Sequence, residues 1–288
     1  MAPTSQVFRD AIELSPTESP DSFLATPQYV PWPKAYGGDL VAQAALAAIR
    51  TTGDDRAMHS IHSYFLLPVD SSVPVRYEVE RLREGRSYST RQVRAYQHDR
   101  LAFVALASFA VAEEGPDFQP EMPAGIPDPE SLPSTEQVLE GIDTDAARYW
   151  STGRSFDMRH VPGPVYLTVE GHREPHQAIW IRSYDRLPED PAIHRAALAY
   201  VCDYTILEPL LRQQGRAWAD ADLLTASLDH SLWMHRDGRL DEWVLYAQEA
   251  GSLQSNRGLA TGRFFSRDGV LLATLAQEGM IRTRRPKA

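Results

Sequence analysis

Apolar and polar residues alternate along four successive stretches in the first part of the chain. These stretches are rich in β-branched and aromatic residues, are separated by Pro, Gly or Asp, and span 59–69, 73–85, 87–97 and 101–111. The pattern predicts an antiparallel meander of strands. Before the meander, two glycines precede a stretch with Leu40, Ala44 and Ala47 at helical spacing. This spacing predicts a helix over residues 37–50 that begins near Asp39.

The second part of the chain repeats this order of elements. Residues 194–213 predict a helix, and strand-like stretches follow at 223–235, 241–251, 257–266 and 270–279. Three landmarks recur at a nearly constant separation: Asp39 with Asp203, His62-Ser63 with His230-Ser231, and Asp99 with Asp268. A helix and strands that recur in the same order indicate a duplicated unit. We therefore predict an α+β fold in which two antiparallel sheets each wrap around a central helix.

A proline-rich segment separates the two copies. Six prolines lie between positions 116 and 133, and each one fixes φ and removes an N–H, which disfavours a long helix or a central strand. We divide the chain accordingly into an N-terminal segment, a first repeat, a linker and a second, catalytic repeat. The predicted ranges are 1–19, 20–115, 116–160 and 161–288.

Composition narrows the range of functions. The 288 residues carry a formal net charge of −10. A negative net charge disfavours binding to the phosphate backbone of a nucleic acid. The single cysteine, Cys202, excludes an internal disulfide and a cysteine-rich zinc site. The longest apolar stretch, 101–112, is shorter than the roughly 20 residues of a membrane-spanning helix. The first residues lack a signal-peptide pattern and the last are not Ser-Lys-Leu, so we expect a cytoplasmic protein without membrane insertion.

Six segments of the chain resemble a known family. They are YGGDLVAQA (36–44), MHSIHSYFLLPVD (58–70), EVERLREGRSYSTRQV (78–93), REPHQAIWIR (173–182), TASLDHSLWMHR (225–236) and ATLAQEGMIR (273–282). In this order they resemble the acyl-CoA thioesterase II family, the TesB-like double-hotdog thioesterases. The resemblance implies a double hotdog that hydrolyses acyl-CoA to a free fatty acid and coenzyme A without a metal or an organic cofactor. It also implies a homo-oligomer, a dimer or a tetramer.

The resemblance also implies the catalytic residues. The family's aspartate falls on Asp203, its hydroxyl residue on Ser227 and its glutamine on Gln277. Serine stands where the family commonly has threonine, and Asp39 stands where it often has glutamine. The three residue types suit thioester hydrolysis because a carboxylate can draw a proton from water while a hydroxyl and an amide orient that water.

The sequence also offers other candidate sites and two alternative functions. Asp229-His230-Ser231 is not expected to form a triad, because in a strand His230 points away from both neighbours. No GxSxG nucleophile elbow occurs, and Cys202 is more typical of packing than of a nucleophile. The alternative functions are a hotdog enoyl-CoA hydratase or dehydratase, which would use a His/Asp pair, and a non-catalytic acyl-CoA-binding protein.

Overall fold

A computed structural model of the chain describes residues 4–284. Its α-helices are α1 (Gln6–Ala11), α2 (Gly37–Ile49), α3 (Thr135–Val138), α4 (Asp145–Arg148), α5 (Pro191–Val201) and α6 (Glu208–Gln214). A 3₁₀-helix covers Pro129–Ser131 and a π-helix covers Tyr149–Gly153. The strands of the first half are β1 (Ser15–Pro16), β2 (Ser22–Ala25), β3 (Arg56–Phe65), β4 (Val75–Glu84), β5 (Tyr88–Gln97) and β6 (Arg100–Val111). Those of the second half are β7 (Phe156–His160), β8 (His176–Ser183), β9 (Leu223–Ser227), β10 (Asp229–Met234), β11 (Val244–Gln254), β12 (Arg257–Ser266) and β13 (Leu271–Thr283).

The strands form one antiparallel sheet rather than two separate ones. Their order is β1-β2-β4-β5-β6-β3-β10-β13-β12-β11-β8-β7. Strand β9 lies outside this order and also pairs with β13. The two halves meet where β3 pairs with β10. The predicted α+β double hotdog is confirmed, but its two sheets are continuous because their central edge strands are hydrogen-bonded to each other.

The junction between the halves corrects one landmark of the repeat. Ser63 lies directly opposite His230, and His62 lies directly opposite Ser231. Residues directly opposite in an antiparallel pair share a face of the sheet. Ser63 and His230 are buried, whereas His62 lies on the other, half-buried face. The two histidines are therefore not equivalent positions, and the sequence correspondence between the His-Ser pairs is one residue out of register.

Two helices fill the space inside the curved sheet. The alanine-rich α2 is buried from Gly38 to Ala48 and packs against α5. Asp190 begins α5 by accepting a hydrogen bond from the Ala192 N–H at 2.9 Å. Apolar side chains from both halves belong to one continuous core.

The prediction of one continuous helix over residues 194–213 is wrong. The segment is divided into α5 and α6, with a turn over residues 202–207 between them. Pro209 lies in the first turn of α6, a position that tolerates proline, whereas a proline inside one long helix would break a backbone hydrogen bond. The turn takes Asp203 out of the helix and places it after the end of α5.

The segments outside the two predicted repeats also carry regular structure. Phe8 of α1 packs edge-to-face on Phe156 and Tyr200, so the N-terminal segment contributes to the core. Strand β7 lies within the range predicted as linker and pairs with β8. No helix within residues 4–284 is long and apolar enough to cross a membrane.

Candidate active site

The structure brings the three sequence-predicted site residues into mutual contact. The Ser227 hydroxyl donates a hydrogen bond to Asp203 Oδ1 at 2.8 Å. The Gln277 amide Nε2 donates to the same carboxylate oxygen at 2.6 Å and to Ser227 Oγ at 3.0 Å. Both hydrogen bonds to the Asp203 carboxylate therefore converge on Oδ1.

The other carboxylate oxygen of Asp203 faces the beginning of α2. A Cβ added at Gly37 would lie 2.6 Å from Asp203 Oδ2, and one added at Gly38 would lie 2.2 Å from the backbone oxygen of Tyr200. Only glycine permits this close approach of α2 to the end of α5. The first four N–H groups of an α-helix have no partner within the helix. The approach therefore places backbone donors from the first half beside a carboxylate from the second half.

A β-bulge turns Ser227 toward Asp203. Ser231 lies four positions after Ser227, but their partners on β13, Ala276 and Gly279, are only three positions apart. Leu228 and Asp229 together face Glu278: the Leu228 N–H donates to the Glu278 carbonyl at 2.9 Å, and the Glu278 N–H donates to the Asp229 side chain at 2.8 Å. The extra residue reverses the alternation of faces. Ser227 and His230 consequently point to the same interior, which simple alternation does not predict.

His230 is a site residue that sequence reasoning missed. Its side chain is fully buried, and its Nδ1 lies 2.6 Å from Gln277 Oε1. Its Nε2 lies 3.1 Å from the sulfur of Cys202. Asp229 bonds to the backbone of Glu278, so Asp229-His230-Ser231 forms no local triad, as expected. The sequence singles out His230 as part of the recurring His-Ser pair, but that recurrence does not indicate a contact with Gln277.

Lys34 is a second residue that the sequence did not single out. It precedes α2, and its ammonium donates to the Thr225 carbonyl on β9 at 2.5 Å. Burial lowers the pKa of Lys34, and the nearby charge of Asp203 raises it in part. A positive charge thus lies beside the candidate site.

Asp39 lies outside this contact network. It occupies the first turn of α2, whereas Asp203 follows the end of α5, so the two acids do not hold equivalent positions in their helices. Asp39 is fully buried, and its Oδ2 accepts a hydrogen bond from the Gln28 N–H at 3.1 Å. Burial raises the pKa of Asp39 well above its ordinary value.

Cys202 is unsuited to nucleophilic chemistry in this environment. Its thiol is buried, and it lies 2.9 Å from the Ala199 carbonyl as well as beside His230. Burial, together with the charge of Asp203, raises the pKa of the thiol well above its ordinary value. The thiolate that a nucleophile requires is therefore disfavoured. Among the described residues, no group of three or more His, Cys, Asp and Glu is arranged to hold a metal ion.

Fold and site together define a class of protein: a double hotdog with a carboxylate, a hydroxyl and an amide joined at the meeting point of its two halves. The family descriptions "Acyl-CoA thioesterase N-terminal domain" and "Acyl-CoA thioesterase" match residues 28–110 and 151–280. The chain belongs to the acyl-CoA thioesterase family, which confirms the family predicted from the six sequence segments.

Relatives along nearly the whole chain support this assignment. The chain is 36% identical over 292 residues to acyl-coenzyme A thioesterase 8 from Homo sapiens, covering 97% of this chain and 90% of that protein. It is 34% identical over 286 residues to acyl-CoA thioesterase 2 from Haemophilus influenzae, covering 96% and 99% respectively. Among solved structures, an acyl-CoA thioesterase II, TesB2, from Mycobacterium marinum has a TM-score of 0.77 at 32% identity, covering 96% of this chain and 98% of that one.

Proposed function

We propose that the protein hydrolyses acyl-CoA thioesters to a free fatty acid and coenzyme A, with Asp203 as the general base. The observation that carries this proposal is the asymmetric use of the Asp203 carboxylate. Ser227 and Gln277 both bond to Oδ1, while Oδ2 points toward the first residue of α2. The fixed carboxylate can therefore offer Oδ2 to a water molecule.

The water is held between the carboxylate and the hydroxyl. The Ser227 oxygen accepts one hydrogen bond from Gln277 and has a second lone pair available. A water that donates one hydrogen to Asp203 Oδ2 and the other to Ser227 Oγ directs a lone pair toward a bound thioester carbonyl. Gln277 acts in this arrangement by fixing both acceptors rather than by touching the water.

The reaction then proceeds without a covalent enzyme intermediate. Asp203 takes a proton as the water oxygen bonds to the thioester carbon, and the carbonyl oxygen becomes negatively charged. Backbone N–H groups in the first turn of α2 supply donors for that charge, since a helix N-terminus stabilises anions. The carbon–sulfur bond breaks when the carbonyl reforms, and the proton held by Asp203 passes to the sulfur of coenzyme A.

A series of acyl-CoA substrates tests the proposed function directly. Release of free thiol should exceed the uncatalysed rate for at least one acyl length. The variant Asp203→Asn should lose about 10²–10⁴-fold in kcat, the usual contribution of general base catalysis, while its unfolding temperature changes little. Asp237→Asn is a matched control, because Asp237 is an exposed acid paired with Arg195, and it should keep full activity. Absence of hydrolysis with every acyl length would refute the function, and full activity of Asp203→Asn would refute the mechanism.

The geometry does not favour the alternative hydratase or dehydratase function. That chemistry needs a histidine paired with the acid at the reacting carbon, but His230 contacts Gln277 instead of Asp203. A dehydratase of 12% identity with a TM-score of 0.51 shares the fold alone. Loss of absorbance of an enoyl-CoA substrate on incubation with the protein would support that alternative.

Cellular role, location and assembly are parts of the same proposal. We place the protein in fatty acid metabolism in the cytoplasm, as a homo-oligomer without a nucleic-acid partner. Exposed Tyr64, Leu106 and Trp233 on the central strands support self-association, because apolar surface of this kind favours an interface. Analytical ultracentrifugation measures the assembly, and cell fractionation tests the location.

A further inference from the structure

A buried chain of hydrogen bonds extends behind the candidate site. It runs from Cys202 through His230 to Gln277 and ends on Asp203 and Ser227. His230 and Gln277 are both fully buried, so water does not compete for these bonds. The chain therefore fixes which atoms donate and which accept.

The donors can be assigned from the carboxylate end. The two hydrogens of the Gln277 amide point to Asp203 Oδ1 and Ser227 Oγ, since an amide oxygen facing a carboxylate would be repelled. Gln277 Oε1, which only accepts, must then receive a hydrogen from His230 Nδ1 at 2.6 Å. Burial lowers the pKa of His230, which leaves the imidazole neutral, so Nε2 carries no hydrogen. The single hydrogen of the Cys202 thiol then has two acceptors within reach, the Ala199 carbonyl at 2.9 Å and His230 Nε2 at 3.1 Å.

We propose that His230 is a positioning residue whose Nδ1–H holds the Gln277 amide in the orientation that aligns Asp203 and Ser227. This role rests on the proposed function. A packing role would involve the whole imidazole ring, whereas the positioning role depends on Nδ1 and not on Nε2.

The physical reason for this role is the cost of an unpaired buried acceptor. Without the Nδ1–H donor, Gln277 Oε1 loses its only hydrogen bond found among the described residues. An unsatisfied buried polar group is destabilising, and a rotation of the amide relieves part of this cost at the expense of the bonds to Asp203 and Ser227. The carboxylate is then held less firmly, so the proton transfer slows while substrate binding is largely unaffected.

The tautomer of His230 in the wild-type protein is the first test, and it does not depend on activity. Long-range nitrogen–proton NMR spectra of protein labelled with ¹⁵N-histidine distinguish Nδ1–H from Nε2–H, and the spectrum of His230→Asn identifies the signal that belongs to His230. The expected result is a neutral ring with its hydrogen on Nδ1. A hydrogen on Nε2 would overturn the proposal.

Three variants then separate the role of Nδ1 from the volume of the ring. Asparagine places an amide nitrogen near the position of Nδ1, glutamine carries its amide one carbon farther, near Nε2, and leucine removes both polar groups. His230→Leu and His230→Gln should lose about 10–100-fold in kcat, as expected when the partner that orients an active-site group is removed. KM should change little, and His230→Asn should remain within a few-fold of wild type.

Circular dichroism and thermal unfolding show which variants are folded. If His230→Leu fails to fold, the contrast between asparagine and glutamine still decides the question. Equal activity of folded asparagine and glutamine variants would overturn the positioning role, as would full activity of folded His230→Leu. A wild-type protein without thioesterase activity contradicts the proposed function instead, and the NMR result then judges the orientation of Gln277 by itself.

Discussion

At the scale of single residues, the site depends on a small set of shared hydrogen bonds among Asp203, Ser227 and Gln277. The Ser227 hydroxyl both donates to Asp203 and accepts from Gln277. Ser227→Ala should therefore lower kcat by about 10–100-fold, because a hydrogen bond to a charged group contributes about 1.5–3 kcal/mol. Ser227→Thr keeps the hydroxyl and restricts χ1, so it should retain activity within a few-fold. Steady-state kinetics with one acyl-CoA measure both variants, and comparable losses in the two would argue against a role for the hydroxyl.

Asp39 should make the stability of the protein depend on pH. Its folded-state pKa is raised by burial well above its ordinary value, whereas that of an unfolded aspartate is about 3.9. Protonated Asp39 therefore stabilises the folded protein at pH values below the pKa of the unfolded state. This stabilisation is lost as the pH rises toward the pKa of the folded state. Asp39→Asn stays neutral, so its unfolding temperature should exceed that of wild type at neutral pH by more than at pH 4. Thermal unfolding across this pH range gives the comparison, and a constant difference between the two proteins would contradict the raised pKa.

At the scale of elements, the decisive feature is the contact between the beginning of α2 and the turn after α5. A methyl group at Gly37 would meet Asp203 Oδ2 at 2.6 Å and Phe65 at 3.0 Å, which displaces the carboxylate. Gly37→Ala should lower kcat/KM by about 100-fold, the effect expected of a misplacement near 1 Å. Gly115→Ala is the matched control, because nothing lies within 4 Å of its Cβ position. Kinetics and thermal unfolding should show an activity loss that is specific to Gly37, and an active Gly37→Ala would mean that the two elements are not in close contact.

At the scale of the whole molecule, the two halves should unfold together. The continuous sheet is hydrogen-bonded across β3 and β10, and the helices of both halves share one apolar core. Coupling of this kind favours a single cooperative transition. Urea denaturation followed by tryptophan fluorescence and by far-ultraviolet circular dichroism should give coincident curves. Two separated transitions would show that the halves are independent folding units.

Much of this architecture follows from local patterns. The strands β4, β5, β6, β11 and β12 lie close to the stretches that alternate in sequence, and α2 begins within two residues of the predicted start. The strand β7 was missed because a short strand next to a proline-rich segment carries little periodic signal. The division into α5 and α6 was missed because apolar spacing continues across the turn, although Pro209 marks the place.

The contacts within the candidate site cannot be derived from sequence patterns. Asp203, Ser227 and Gln277 were predicted by family resemblance, and their mutual contact became visible only in three dimensions. Neither the bulge at Leu228 nor the bond from His230 to Gln277 can be derived from alternation, since one extra residue in a strand reverses every side chain that follows.

The sequence by itself determined the duplicated order of helix and strands, the family and the residue types available for chemistry, because periodicity and motifs are local properties of the chain. Only the tertiary structure decided which oxygen of Asp203 accepts from Ser227 and Gln277 and that α2 of the first half borders a site of the second. It also decided which nitrogen of His230 faces Gln277. These properties depend on distances between residues far apart in the chain, and packing of both halves into one core sets those distances.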